Sequence, residues 1–146
     1  MIILDTNVVS ELLRPAPSAQ VEAWLSAQDG ANIYFTTVGE AELRHGVAIL
    51  PAGKRRNALA EAVEGILEDD FRDRILPFDR HAARAYAAIA AERRAADRPI
   101  RQFDCQIAAI AHVHGAAVAT RNTSDYEGCG MVLLDPWVQT SAKAGS

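Results

Sequence analysis

Three acids stand at positions where a fold could put them to use. Asp5 closes the apolar run Ile2-Ile3-Leu4, Glu42 lies on the first turns of a helix expected after Thr37, and Asp104 opens a later helix. Asn122 and Asp125 follow the apolar segment Ala117-Val118-Ala119-Thr120. Their separation along the chain is not a metal motif by itself, so the chemistry depends on a fold that gathers them. Carboxylates held about 4 Å apart repel by about 4 kcal/mol per pair at an effective dielectric near 20. Such a cluster normally requires a divalent cation. Hard oxygen donors with no His or Cys among them suit Mg²⁺, with Mn²⁺ as the alternative. An ion of this kind activates water and stabilises the charge that develops on a phosphodiester under in-line attack. The expected chemistry is therefore phosphodiester hydrolysis, with Asp5, Glu42 and Asp104 as catalytic metal ligands.

The neighbouring side chains divide into support and scaffold. Thr6 and Thr120 lie beside the acids and either orient them or make ordinary strand-end hydrogen bonds; Asp125 either adds charge or belongs to a turn. Glu40 stands three residues after Thr37, the spacing of a capping box, which makes Glu42 the better ligand. Asp79 is placed to cap a helix and Asp97 to end one. Arg93, Arg94, Arg98 and Arg101 flank the approach to Asp104; Arg94, Arg98 and Arg101 are candidates to grip the phosphates of a nucleic acid, against the plain reading of a solvated face. The histidines have no ligand spacing, and Cys105 lacks an obvious base, so neither residue type is expected to carry the reaction.

Elements that would position these groups alternate between two periods. Short apolar runs at Ile2–Leu4, Ile33–Phe35, Ile75–Phe78, Ala117–Thr120 and Met131–Leu134 read as strands. Between them lie helical stretches: one ended by Arg14-Pro15-Ala16-Pro17, one capped by Ser18, one opened by Thr37, one from about Lys54 to Phe71, one from Asp79 to about Ala96, and one from about Phe103 to His114 before Gly115. This alternation predicts an α/β three-layer sandwich around a central, mostly parallel sheet, with its site at the carboxyl ends of the strands. One domain over residues 1–139 and a flexible tail over 140–146 are expected.

Composition narrows the class. With 15 basic and 19 acidic residues the net charge is −4, which excludes a protein that binds nucleic acid over its whole surface and restricts contact to a local basic rim. The start carries no basic leader, no apolar run reaches membrane-spanning length, and the two cysteines do not form a disulfide framework, all of which suit the reducing cytoplasm.

Four segments together resemble the PIN-domain ribonucleases that serve as toxins in bacterial VapBC-type toxin–antitoxin systems: ILDTNVVSELL at the start, TTVGEAELRHGV, RPIRQFDCQIAAIAHVHGAAVATRN, and the closing stretch from Gly128 to Trp137. The resemblance implies a PIN-like fold, Mg²⁺-dependent cleavage of RNA, a homodimer, and a small cognate antitoxin that occludes the site. Asp5, Glu42 and Asp104 match the family's acids, and a fourth acidic position falls near Asn122, where an amide keeps an oxygen but loses a charge. Apolar stripes with Leu13, Trp24 and Leu25 and with Leu59, Val63 and Ile66 are then candidates for an antitoxin groove and a self-association face, although both could be core. Two other readings remain. A phosphoacceptor domain needs a late lysine, and the lysines are Lys54 and Lys143; a catalytically weak PIN module would bind RNA or antitoxin without cutting.

Overall fold

A computed structural model describes residues 1–138; the expected boundary at 139 and tail at 140–146 lie outside the described residues. Five strands, β1 (Ile2–Leu4), β2 (Ile33–Thr36), β3 (Ile75–Leu76), β4 (Ala117–Ala119) and β5 (Leu133–Leu134), form one sheet in the order β3-β2-β1-β4-β5. Every pairing is parallel, with Ile2 opposite both Ile33 and Ala117. The helices are α1 (Thr6–Leu12), α2 (Ala19–Ser26), α3 (Thr37–Ala48), α4 (Lys54–Gly65), α5 (Arg80–Ala95), α6 (Gln102–His114) and the single turn α7 (Thr123–Tyr126).

Side chains of a strand alternate between faces, so each short apolar run feeds two cores. Ile3, Tyr34 and Val118 pack with Ala82 and Ile89 of α5 and with Cys105, Ile107 and Ala108 of α6. Their neighbours Leu4, Ile33, Phe35 and Ala119 turn the other way, onto Val8 and Val9 of α1, Val21 of α2 and Val63 of α4. Three layers result, as the alternation of elements requires. Helix α3 contributes Val38 to one core and Leu43 to the other, so it lies across the sheet's end rather than flat on a face. No helix among the described residues is long and apolar enough to cross a membrane.

Several boundaries differ from those expected, each for a local reason. The helix opened at Lys54 gives way after Gly65 to a π-helical turn, Ile66–Asp70, which buries Leu67 and delivers Phe71 onto Phe35 with ring centroids 5.3 Å apart. The capping box at Thr37 and Glu40 is not formed. Thr36 is the cap, its hydroxyl accepting from Gly39 N at 3.0 Å, while Thr37 accepts from Phe78 N and Glu40 pairs with Arg44 across one turn. Two adjacent threonines made the cap ambiguous in sequence; the end of β2 selects the first. Ser18 and Asp79 cap α2 and α5 as expected, and Asp97 ends its helix at φ 58°.

Candidate active site

The sheet order reverses direction between β1 and β4, and in open parallel sheets the crevice for a ligand lies at the carboxyl ends of such a pair. Asp5 stands there. Its backbone continues the ladder, Asp5 N donating to Ala119 O at 2.8 Å, and its carboxylate is buried to 5% exposure. Oδ1 accepts from Thr6 N at 2.7 Å, which makes Asp5 the cap of α1 as well as a site residue. Oδ2 accepts from the Thr120 hydroxyl at 2.8 Å and from Asn7 Nδ2 at 3.3 Å. Burial pushes the Asp5 carboxyl above its ordinary value, and donation from Thr120 pulls against it. Asn7, which the sequence marks only as part of a helix start, also donates to Thr120 Oγ1 and accepts from Arg121 N, locking the two strand ends together.

Glu42 reaches the same place from α3. Gly39 lets that helix settle on β2, since a Cβ there would lie 2.4 Å from the Phe35 ring. One turn later the Glu42 Oε1 accepts from the Thr6 hydroxyl at 2.8 Å. Burial raises the Glu42 carboxyl, and the Asp5 charge adds to the rise. Glu40, two residues earlier, points away to Arg44, so the two glutamates have separate environments.

Asp104 sits in the first turn of α6 without capping it; the cap residue is Arg101, which makes no side-chain cap bond. The carboxyl is pushed up to about 6, first by burial and then by the charges of Asp5 and Asp125, with Arg101 opposing. Oδ1 accepts from the hydroxyl of Tyr126 at 3.4 Å. Tyr126 is fully buried, and nothing in its sequence position announced its contact with Asp104. Asn122 lies on the exposed surface at the start of α7, its backbone N–H on Thr120 Oγ1. Asp125, one turn on, is the group whose charge reaches Asp5 and Asp104.

Four acids from four elements thus share one corner, and those that shift are raised, the signature of carboxylates short of positive charge. Glu42 Oε2 and Asp104 Oδ2 accept no hydrogen bond among the described residues. Such hard oxygen donors fit Mg²⁺ or Mn²⁺ in chemistry. Among the described residues no three acidic, His or Cys side chains already converge as a ligand cage. The thiol of Cys105 is buried and pushed up to about 11, consistent with a small core residue and not a nucleophile.

The arginines divide. Arg93 is buried and ties the carbonyls of Arg98 and Glu127 and the thiol of Cys129, so it is scaffold. Arg98 pairs with the Glu127 carboxylate at 3.2 Å. Arg94 and Arg101 are exposed, and Arg101 is near enough to Asp104 to lower its carboxyl. Arg121, overlooked in sequence, lies over the Trp137 ring at 5.1 Å beside the same corner.

Residues 2–126 match the PIN domain family. The chain is 43% identical to the VapC ribonuclease Y4jK of Sinorhizobium fredii, covering 94% of this chain and 98% of that one. It is 42% identical to the toxin FitB of Neisseria gonorrhoeae, covering 94% and 99%. The crystal structure of FitAcB from Neisseria gonorrhoeae superposes with a TM-score of 0.90 at 41% identity, over 95% of this chain and 100% of that one. With fold and sequence in agreement over nearly the whole length, this chain belongs to the PIN-domain family, among its VapC-type toxins.

Proposed function

We propose that this protein is a Mg²⁺-dependent endoribonuclease toxin, active in the cytoplasm and restrained by a cognate antitoxin. The observation that carries the reading is the gathering of Asp5, Glu42, Asp104 and Asp125 at the switch point, with the Asp104 carboxyl pushed up to about 6 by burial and by its acidic neighbours. Asp5, Glu42 and Asp104 would hold the ion, with Asp125 rather than Asn122 supplying the remaining charge. A divalent cation bound there supplies Lewis-acid activation of water and stabilisation of the charge on the phosphodiester. The chain's own part is orientation. Thr120 and Asn7 fix Asp5 Oδ2, Thr6 fixes Glu42 Oε1, and Tyr126 occupies Asp104 Oδ1. These bonds leave Glu42 Oε2 and Asp104 Oδ2 for the ligand. Arg94 and Arg101 offer cations to the RNA backbone at the rim, a role that Arg98 shares only by giving up Glu127.

The antitoxin reading draws support from a groove of about 700 Å³ between α1, α3 and α4, apolar at Leu13, Leu43, Leu59 and Val63, with Thr6 and Glu42 in its wall. A chain lying there would cover Glu42 and the Thr6 hydroxyl that holds it. The apolar stripes named in the sequence are not free faces: Trp24, Leu25 and Ile66 pack into the core beside α1 and α4, and Leu13, Leu59 and Val63 serve both core and groove. A homodimer completes the proposal and is tested by sedimentation at micromolar concentration.

The deciding experiment incubates the purified chain with structured RNA, with Mg²⁺ and with chelator. Cleavage that needs Mg²⁺ and disappears in Asp5→Asn and Asp104→Asn supports the reading. RNA bound but uncut under every condition supports the weak binding module instead.

A further inference from the structure

We propose that Tyr126 is the positioning residue of the acid cluster: its buried phenol O–H, bonded to Asp104, holds that carboxylate in place to receive a divalent cation. The inference rests on the metal-dependent reading above and adds a residue to it.

Helix α7 is a single turn, and Tyr126 is its buried residue, at 1% exposure, packed in the core that includes Cys105, Ile107 and Cys129. A phenylalanine would satisfy that apolar setting. A hydroxyl there is costly unless it finds a partner. The partner it finds is a site carboxylate, Asp104 Oδ1, at 3.4 Å. The distance is long for an O–H···O bond and leaves room for the carboxylate to close on the hydroxyl when a cation binds.

The position matters because Asp5 and Asp104 come from different ends of the chain. Asp5 is already held by Thr6 N, Thr120 and Asn7, whereas Asp104 has one side-chain donor, Tyr126. Without it, the charges of Asp5, Asp125 and Glu42 act to push the Asp104 carboxylate outward. A neutral donor suits this place. It steadies the Asp104 carboxylate without carrying a charge that would compete with a cation, and by occupying Oδ1 it leaves Oδ2 as the oxygen offered to the ion. Partners that orient metal ligands in this way are typically worth about 10- to 100-fold in metal affinity.

The test is Mn²⁺ binding by titration calorimetry to the purified chain and to Tyr126→Phe, which keeps the ring and removes the O–H. The expected result is binding at least about tenfold weaker in the variant, with RNA cleavage recovering when Mn²⁺ is raised by the same factor. That recovery separates positioning from a packing defect, which added metal at the site would not mend at an unchanged affinity. Equal affinity in the two proteins overturns the role of Tyr126 and leaves the metal reading standing. A parent chain that binds no Mn²⁺ overturns both. Should Tyr126→Phe fail to fold, ¹³Cζ-tyrosine labelling of the parent reports instead, with Tyr34 and Tyr86 assigned by their own phenylalanine variants. The Tyr126 signal is expected to shift as Mg²⁺ is added, saturating with the binding curve; a signal that does not move overturns the inference.

Discussion

The hydroxyl of Thr120 donates to Asp5 Oδ2 at 2.8 Å, joining residues that close adjacent parallel strands and lie 115 positions apart. Thr120 has no exposed surface, and its hydroxyl leads the hydrogen bonds that pull the Asp5 carboxyl back down against burial. Thr120→Val keeps the shape and removes the donor. The expected cost is about 1–3 kcal/mol at pH 7, because the buried carboxylate loses a partner. Chemical denaturation at pH 7 and pH 4 checks it, with the deficit smaller at the lower pH, where Asp5 is closer to neutral.

Glu40 and Glu42 are two residues apart and separable by substitution. Glu40→Gln removes an exposed pair with Arg44 one turn away, worth no more than about 0.5 kcal/mol, and leaves RNA cleavage intact. Glu42→Gln is expected to abolish cleavage while the fold persists. Activity lost in the first variant and kept in the second would reassign the ligand.

Asp104 carries a pH dependence whose sign follows from its direction. Its carboxyl titrates near 3.8 when unfolded and is pushed up to about 6 in the fold, so the native state holds its proton more tightly. Stability from this group is therefore full below about 3.8 and lost as pH rises through about 6. Because the carboxyl is only half-buried, solvent screening reduces the loss to about 1 kcal/mol. Thermal melts of the chelator-treated protein are expected to show this decline between pH 4 and 7, to show less of it in Asp104→Asn, and to regain more stability from Mg²⁺ at pH 7.5 than at pH 5.

Gly39 tests how tightly α3 must sit on the sheet. Alanine is the better helix former by about 1 kcal/mol. Yet its Cβ would meet the Phe35 ring at 2.4 Å, and that ring is fully buried and stacked on Phe71. The clash wins. Gly39→Ala is expected to destabilise by a net amount of about 1–2 kcal/mol, and by displacing Glu42 to lower cleavage more than RNA binding.

Arg94 and Arg101 are exposed and have no carboxylate in a salt bridge among the described residues, whereas Arg98 has Glu127. Each contact to single-stranded RNA contributes about 0.7 to the slope of log affinity against log salt. Replacing both by alanine, in an Asp5→Asn background that cannot cut, is expected to lower the slope by about 1.4, and Arg98→Ala alone by less than 0.7. An unchanged slope in the double variant would make these residues a solvated face.

Periodicity and punctuation determined the layers of this protein. Apolar runs of three or four residues alternating with longer amphipathic stretches admit little besides a parallel sheet between helices, and Asp79 and Ser18 announced their helices because capping is a contact between near neighbours in sequence. The family resemblance singled out Asp5, Glu42 and Asp104, residues of types that suit a cation. Tertiary structure decided what local pattern cannot encode. Whether Thr36 or Thr37 caps α3 depended on where β2 ends against β3. Whether Asn122 or Asp125 adds charge to the corner depended on the single turn of α7, which leaves one on the surface and brings the other within electrostatic reach of Asp104. Tyr126 shows the limit most plainly. In sequence it is one aromatic residue after an Asp, and its role exists only because the fold packs the single turn of α7 against α6, so that its hydroxyl meets the Asp104 carboxylate 22 positions earlier.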